Sequence, residues 1–309
     1  MERPAAGISG VLPSPVPEGG PPPLSVIVPS PGHWDHIEKV VEGLIPAIDE
    51  FGIQVIAVCG GSGEYRGTGD PRVSWIDIAD PNVFTARAVG VTHARSDHIV
   101  LLEDHLVVEP GWAHALIRSW SANPDADALV LPIRVGDSTG PWEQALFTLT
   151  FGPFLGATEV SKHRLPVPGN VAFRRSALPS EQPADGWLEY DLLGRLLAEN
   201  RIVMADVPAV LHVQPVRFNA SRLSFHSGRV FASSRFDDPM ARRTGELRRF
   251  GRESIVIVRQ TIGARLRVNH GRIGWRFALA SAALVLHNFT GQLVGIATRR
   301  AGPSIAALG

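Results

Sequence analysis

The sequence predicts an α/β protein with a mainly parallel sheet flanked by helices, followed by a basic, helical C-terminal extension. Short apolar, β-branched runs alternate with segments whose apolar residues recur at helical spacing, and the connections between them are short. The 309 residues are 44% hydrophobic and 19% charged, which supplies a large core and excludes wholesale disorder. Such alternation is typical of sheets that bind ligands at the C-terminal ends of their strands.

The alternation can be followed element by element. The predicted strands are 24–29, 53–58, 73–78, 98–102, 128–133 and 170–174, with a strand pair over 202–212 that is broken at Pro208. The predicted helices are 36–51, 83–94, 111–120 and 188–199. The segment 136–162 is rich in Gly and Thr and predicts no definite element.

Composition suggests three segments. Residues 1–23 are dense in Pro and Gly and lack the apolar core of a secretory signal, so we expect a disordered leader. The alternating pattern fills 24–215 and predicts one α/β domain, and 216–309 is expected to be the basic extension. The single cysteine, Cys59, lies in an apolar run, which indicates a reducing compartment.

The formal net charge of zero hides an asymmetry. Residues 1–206 carry 14 basic and 26 acidic side chains, whereas residues 207–309 carry 16 basic and 4 acidic ones. A basic block of this size favours an anionic partner. Its interleaved arginines and phenylalanines also fit nucleic acid. Because the rest of the chain is acidic and an apolar segment follows, we expect a membrane surface and no nucleic acid.

The apolar segment 277–298 contains no Asp, Glu, Lys or Arg. At about 1.5 Å per residue it could just cross a hydrocarbon core of about 30 Å. Polar residues in its middle disfavour a clean span, and these are His287, Asn288, Thr290 and Gln292. We therefore expect an interfacial helix on the cytoplasmic side of the cell membrane, with a buried helix of the globular body as the alternative.

The sharpest chemical signal is Glu103-Asp104-His105, which directly follows the apolar run 98–102. A parallel sheet places its ligands at such a strand end. Carboxylates and imidazoles can hold Mg²⁺ or Mn²⁺, and such an ion neutralises the charge of a departing diphosphate. A solvated acidic turn is the alternative interpretation.

Several motifs, in order, resemble the inverting glycosyltransferases of family 2, which have the GT-A fold. The motifs are LSVIVP at 24–29, ARAVGVTHA at 86–94, the triplet at 103–105, PGNVAFRRSAL at 168–178, LEYDLLGRLL at 188–197 and VPAVLH at 207–212. The resemblance covers about residues 24–212, and its specificity comes from the order and spacing of the motifs.

The resemblance implies a role for each matching position. It assigns nucleotide-sugar binding to Pro29, Ser30, Arg87, Glu103 and Asp104. It assigns a divalent cation, Mg²⁺ or Mn²⁺, to Asp104, His105 and His212. It assigns the acceptor side to Gly169 and Asn170, and the catalytic base to Glu189 or the neighbouring Asp191.

The implied reaction moves a sugar from a nucleotide-sugar donor to a saccharide or lipid-linked acceptor. A base takes the acceptor proton while the nucleoside diphosphate leaves. Plainer interpretations stay open: an ion pair on the helix surface for Arg87, a helix cap for Glu189, a strand-end histidine for His212, and a simple turn for Gly169-Asn170.

Three departures from the family pattern bear on function. Cys59 and Gly60 stand where the family has two acids, Ala88 stands for an asparagine, and Glu103 and His105 replace the outer aspartates of Asp-x-Asp. They leave the nucleobase open. They also favour the alternative hypothesis of a non-catalytic, glycosyltransferase-like, membrane-associated interaction protein. Nucleotidyl transfer is a weaker alternative, because the first strand runs into PSPGHWDHIE rather than a glycine-rich basic loop.

Overall fold

The computed structural model describes residues 8–12, 20–61, 69–79, 83–135, 140–151, 160, 169–179, 189–213, 220–233, 259 and 274–298. Its strands are β1 (Ile8–Leu12), β2 (Ser25–Ser30), β3 (Gln54–Gly60), β4 (Ser74–Ile78), β5 (His98–Leu101), β6 (Leu106–Val107), β7 (Ala128–Val130), β8 (Ile133–Val135), β9 (Val171–Arg174), β10 (Ile202–Met204) and β11 (Val210–His212). Its helices are α1 (Trp34–Phe51), α2 (Val83–His93), α3 (Trp112–Ala122), α4 (Pro141–Phe151), α5 (Glu189–Ala198), α6 (Ala220–Ser233) and α7 (Trp275–Thr298).

The main sheet has eight strands in the order β1-β4-β3-β2-β5-β9-β7-β10. The pairs β4–β3, β3–β2, β2–β5 and β7–β10 are parallel. The strands β1 and β9 run antiparallel to their neighbours. The predicted α/β architecture with a mainly parallel sheet is therefore confirmed.

The core of the sheet lies where the sequence is most apolar. Every residue of β2 and β3 is buried, as expected for strands covered on both faces. The helix α1 buries one stripe, formed by Ile37, Val40, Val41, Leu44 and Ile48. In α2, Gly90 lies directly over Ile27 of β2, and a Cβ there would come within 2.3 Å of the Ile27 side chain. The missing side chain lets α2 approach the sheet closely.

A second, three-stranded sheet has the order β6-β11-β8 and brings two distant parts of the chain together. In the antiparallel pair of β6 and β11, His212 lies opposite Leu106. The next backbone bond runs from the Val213 N–H to the carbonyl oxygen of His105, at 2.9 Å. The end of β11 is thereby held beside the turn that follows β5.

The structure differs from the sequence-based expectations at three places. The leader was expected to be disordered, but Ile8–Leu12 forms β1, since the outer edge of β4 offers unpaired backbone groups to this apolar run. The predicted strand 128–133 is two strands, β7 and β8, which join different sheets. The unassigned segment 136–162 contains the helix α4.

The chain forms two compact units. The first comprises Met1–Arg134 and Ala157–Val213, and the second comprises Val135–Gly156 and Gln214–Gly309. The second unit thus takes a segment from the middle of the chain in addition to its C-terminal part. The domain limits 1–23, 24–215 and 216–309 stay a prediction.

Within the second unit, α4, α6 and α7 pack around a small apolar core. Its buried residues are Ala145, Leu146, Ala220, Phe277, Ala280 and Leu284. The helices α6 and α7 approach at two glycines, because a Cβ on Gly228 would come within 2.1 Å of the Asn288 carbonyl oxygen. A Cβ on Gly291 would come within 1.8 Å of the Phe225 carbonyl oxygen. Backbone lies against backbone at this crossing.

We predict that Gly291→Ala destabilises the second unit, because the obstructing atom belongs to the α6 backbone and cannot rotate away. The free energy of unfolding should fall by roughly 1–3 kcal/mol, as for other overpacked sites. Urea denaturation followed by tryptophan fluorescence measures this. Gly274→Ala is the control, because a Cβ there meets nothing within 4 Å. An equal effect of the two substitutions would contradict the proposed contact.

Candidate functional site

Three side chains converge at the end of β5 and the end of β11. The Nε2 atoms of His105 and His212 lie 2.9 Å apart. The Oε2 atom of Glu103 lies 3.5 Å from Nε2 of His105 and 3.6 Å from Nε2 of His212. One ligand atom from each residue therefore faces a common point, and this group is a candidate metal site.

Asp104 lies behind this group and connects it to β2. Its Oδ1 atom accepts a hydrogen bond from Nδ1 of His105 at 2.8 Å, and its Oδ2 atom accepts one from the Ser30 hydroxyl at 2.5 Å. Nδ1 of His36, in the first turn of α1, lies 3.8 Å from the same Oδ2. Because the carboxylate is 8% exposed, these contacts replace the water that it has lost.

Burial and hydrogen bonding shift the pKa values of Asp104, His105 and His212 in different directions. Burial opposes the charged form of Asp104, but the hydrogen bonds from His105 and Ser30 and the nearby imidazole of His36 hold its pKa below the usual range. Burial likewise disfavours charge on His105, yet the hydrogen bond to Asp104 and the charge of Glu103 raise its pKa. Burial and the neighbouring His105 lower the pKa of His212 well below its ordinary value. The 2.9 Å contact between the two Nε2 atoms is a hydrogen bond in which one ring donates and the other accepts.

Arg87 reaches the same place from α2. The Cβ that Gly169 lacks would lie 2.6 Å from Nη2 of Arg87 and 3.0 Å from both Cγ and Oε1 of Glu103. Gly169 has a φ of +93°, a conformation that favours glycine. Arg87 is buried and lies over the Phe84 ring, with its Cζ atom 5.6 Å from the centroid. The Arg87 guanidinium, the Glu103 carboxylate and the backbone of Gly169 therefore lie close together beside the two imidazoles.

The other site residues of the sequence analysis lie at different distances from this group. Pro29 precedes Ser30 in β2, opposite Val58 of β3. The Asn170 amide nitrogen donates to the Leu131 carbonyl oxygen at 3.0 Å, which ties the residue after Gly169 to the end of β7. Glu189 and Asp191 lie in the first turn of α5, and their side chains are outside the described residues. Their role as the base stays a prediction.

Sequence reasoning missed two features of the site. It did not include Glu103 among the metal ligands, because the direction of this side chain depends on the conformation of the turn after β5, which the sequence does not show. It did not single out His36, although the sequence PGHWDHIE places an imidazole in the first turn after β2. The raised pKa of His36 comes mainly from its interaction with Asp104. Asp104 itself stays a predicted metal ligand.

The donor set fits a divalent cation. Imidazole nitrogens and a carboxylate oxygen are ordinary ligands for such ions, and a carboxylate behind a ligating histidine is their usual support. The residues that would hold the ion are Glu103, His105 and His212. With such an ion bound and Arg87 beside it, positive charge would collect at the edge of the sheet where α/β proteins bind ligands. A diphosphate is the ligand chemistry that this charge suits.

Comparison with known proteins agrees with the motifs. Residues 25–180 match the model of the family described as Glycosyl transferase family 2. A search of curated protein sequences gives no significant match.

Solved structures of similar architecture include three with bound ligands. Staphylococcus aureus TarS 1-349 with UDP-GlcNAc is 15% identical, covers 87% of this chain and 90% of its own, and has a TM-score of 0.46. Pyrobaculum calidifontis mannosyltransferase PcManGT with GDP-Man and Mn²⁺ is 15% identical. The matched region covers 90% of this chain and 86% of the mannosyltransferase chain, with a TM-score of 0.47. Mycobacterium tuberculosis glucosyl-3-phosphoglycerate synthase with phosphoglyceric acid is 18% identical. The matched region covers 68% of this chain and 77% of the synthase chain, with a TM-score of 0.48.

We predict that Gly169→Ala lowers the stability of the protein by more than the cost of backbone strain, because the substitution also disturbs the site. Gly111 is the matched control, because its φ is +80° but a Cβ there meets nothing within 4 Å. Both alanine variants should lose about 1–2 kcal/mol of stability from the left-handed conformation. Gly169→Ala should lose roughly 1–3 kcal/mol more, because the new Cβ displaces Arg87 and Glu103. Thermal denaturation measures the difference, and equal losses would contradict the contact with Arg87.

Proposed function

We propose, on the premise that this chain belongs to glycosyl transferase family 2 and is a glycosyltransferase, that it transfers a sugar with inversion from a nucleotide-sugar donor to a saccharide or lipid-linked acceptor. The GT-A type of fold expected for the family is confirmed, since the mainly parallel sheet flanked by helices spans the matched residues. The proposal extends the family assignment to a mechanism, a cation and a place of action.

The observation that supports this mechanism best is the convergence of Glu103, His105 and His212 beside Arg87. Glu103 and His105 lie in the turn between β5 and β6, His212 ends β11, and Arg87 reaches the group from α2. Leaving-group charge is the main electrostatic problem of the reaction, because the nucleoside diphosphate departs as an anion. A divalent cation, Mg²⁺ or Mn²⁺, would supply Lewis-acid neutralisation of that charge when bound.

The chain's own residues position the donor in this proposal. The end of β2 and the loop after it hold the nucleotide, with Pro29 and Ser30 as the last residues of the strand and the Ser30 hydroxyl fixed by Asp104. Arg87 supplies a permanent positive charge on the diphosphate side, since a guanidinium stays protonated. Asp104 keeps His105 in place, and Arg87 and Glu103 both flank Gly169. Gly169 and Asn170 line the acceptor side.

The acceptor hydroxyl needs a base, and we assign Glu189 to this role with Asp191 as the second candidate. Both belong to the first turn of α5. The backbone dipole at a helix N-terminus favours the ionised form of a carboxylate there. One base and direct displacement at the anomeric carbon give inversion, and a second nucleophile is not required.

We place the reaction at the cytoplasmic face of the cell membrane because of α7. The stretch Trp275–Gly295 is long and apolar enough to cross a membrane. One face of α7 carries large exposed side chains, of which Trp275, Leu279 and Leu286 are 68%, 62% and 63% exposed. The opposite face packs on α4 and α6. A helix with one apolar face exposed and the other packed is suited to lie in the interface.

Two of the polar residues of α7, Asn288 and Gln292, support this placement. Asn288 donates to the Ser224 carbonyl oxygen of α6 at 3.1 Å, and Gln292 donates to the Asn288 side-chain oxygen at 2.7 Å. These two side-chain amides form their hydrogen bonds on the packed face of α7, so they do not enter lipid. Arg276 is exposed beside Trp275, and the surrounding C-terminal segment is strongly basic. Arginines at this depth contribute about 1 kcal/mol each to binding an anionic surface.

We predict that Glu189→Gln abolishes transfer and leaves donor binding intact. Loss of the base should lower kcat by about 10²- to 10⁴-fold. Transfer or donor hydrolysis is measured with a panel of nucleotide sugars, and donor affinity is measured by calorimetry.

Glu199→Gln is the matched control for the base, because Glu199 is an exposed carboxylate just beyond the end of α5. It should keep wild-type kcat. If Glu189→Gln and Glu199→Gln have the same activity, Glu189 is not the base. A wild type that binds no nucleotide sugar with any divalent ion would support the non-catalytic alternative.

We predict that Leu279→Ser combined with Leu286→Ser releases the chain from anionic membranes. Co-sedimentation with phosphatidylcholine–phosphatidylglycerol vesicles should show roughly a tenfold or larger loss of binding, since each buried leucine contributes about 1.5–3 kcal/mol. Val107→Ser combined with Val213→Ser is the control, because these exposed apolar residues belong to the first unit. Equal binding of the two double variants would exclude α7 as the membrane surface.

A further inference from the structure

We infer that Arg222, His226 and Arg229 of α6 form a binding site for a phosphate monoester, and that this ligand is a water-soluble molecule rather than a membrane lipid. The site lies within the second unit and takes no residue from the candidate active site. The inference therefore goes beyond the proposed sugar transfer. Only the choice of a soluble ligand rests on the proposed membrane placement of α7.

The helix places the three side chains on one face. They occupy positions i, i+4 and i+7 of α6, and at about 100° per residue they lie within roughly 60° of one another around the helix axis. Residues three or four positions apart are neighbours on a helix surface. Arg222 is exposed, and His226 and Arg229 are half-buried. Two guanidinium groups thus flank one imidazole.

The two arginines act on the ring that lies between them. Burial is the main cause that lowers the pKa of His226, and the positive charges of Arg222 and Arg229 lower it further. The His226 ring also packs edge-on against Phe225, with the ring centroids 5.2 Å apart, which limits its movement. An anion bound between the guanidinium groups would offset the repulsion among these neighbouring cations.

The surroundings of the three side chains favour a phosphate. In the described helices of the second unit, α6 and α7 contain no Asp or Glu, and α4 contains only Glu143. Guanidinium groups bind phosphate oxygens through paired, charge-assisted hydrogen bonds, and an imidazole adds an N–H donor. A phosphate monoester carries three strong acceptor oxygens, so each of the three side chains can take one.

The cationic face of α6 points away from α7. On the opposite side of α6, the Ser224 hydroxyl donates to the Leu284 carbonyl oxygen at 2.7 Å, and Gly228 lies against the backbone of Asn288. Ser224 and Gly228 are roughly 150° around the helix axis from the three cationic side chains. The site is therefore on the outer side of the α6–α7 pair.

The exposed apolar face of α7 points in the other direction. Leu279 and Leu286 are exposed, and they lie about 140–160° around α7 from Leu284, whose carbonyl oxygen meets α6. With this face on the membrane, α6 lies behind α7, about 8–10 Å further from the lipid. Its cationic side chains then face water, where a soluble phosphate monoester can reach them and a lipid headgroup cannot.

Nuclear magnetic resonance of the full chain labelled with ¹⁵N-histidine tests the site with inorganic phosphate as the probe. The ring nitrogens of His226, identified by their loss in His226→Gln, should shift in a saturable manner as phosphate is added. Chloride at equal ionic strength should not reproduce the shift. His114, an exposed histidine of α3, is the internal control. No shift at His226, or an equal shift at His114, would overturn the inference.

Arg222→Gln combined with Arg229→Gln should lower the affinity for phosphate at His226 at least about tenfold, because charge-assisted hydrogen bonds are lost. Arg118→Gln combined with Arg134→Gln is the control, because it removes the same charge from exposed arginines of the first unit. The control should keep the wild-type affinity. Equal losses in the two double variants would reduce the effect to net charge and contradict a site on α6.

Vesicles distinguish a soluble ligand from a lipid. Phosphatidic acid carries a phosphate monoester, but the site faces away from the lipid. Co-sedimentation with phosphatidylcholine–phosphatidic acid vesicles should therefore give equal binding for the two double arginine variants. A selective loss of vesicle binding in Arg222→Gln combined with Arg229→Gln would assign the site to a lipid headgroup and overturn the choice of a soluble ligand.

The inference and the membrane placement fail separately. Leu279→Ser combined with Leu286→Ser should release the chain from vesicles and leave the phosphate-induced shift at His226 unchanged. A wild type that binds no vesicles but shows the saturable shift would refute the membrane placement and keep the phosphate site. Vesicle binding without any shift at His226 would refute the phosphate site and keep the membrane placement.

Discussion

A buried carboxylate cannot stay charged without partners, and at Asp104 this constraint organises the molecule. Ser30 from the end of β2 and His105 from the turn after β5 both donate to it. His105 in turn meets His212 at the end of β11, 107 positions further along the chain. If the carboxylate lost these partners, an unsatisfied charge would remain in the interior, which is costly. The contacts therefore hold three strand ends at fixed distances.

This constraint changes the interpretation of the unusual triplet. In the sequence, Glu103 and His105 look like losses, because they replace aspartates of the family pattern. In the structure, the glutamate reaches the same point as the imidazoles of His105 and His212. Arg87 and Gly169 lie on its other side. The substitutions that favoured a non-catalytic protein thus supply two of the three converging ligand atoms, and the altered triplet is compatible with catalysis.

The sequence predicted the fold where burial decides the local structure. The strands β2 and β3 and the helix α1 follow from apolar patterns that a sheet covered on both faces requires. It did not predict β1, which depends on a free edge of β4 far along the chain. The candidate site shows the same limit: its residue types were identifiable, but the part played by Glu103 depends on the β6–β11 pairing. Pairing between strands about a hundred residues apart is not encoded in any local pattern.

Crystals of the chain grown with Mn²⁺ and a nucleoside diphosphate test the central claim most directly. Anomalous diffraction at the manganese edge locates the ion without assumptions about activity. The account predicts one peak within bonding distance of Glu103, His105 and His212, with the diphosphate between the ion and Arg87. A nucleotide bound elsewhere, or an ion peak away from these three residues, would contradict it.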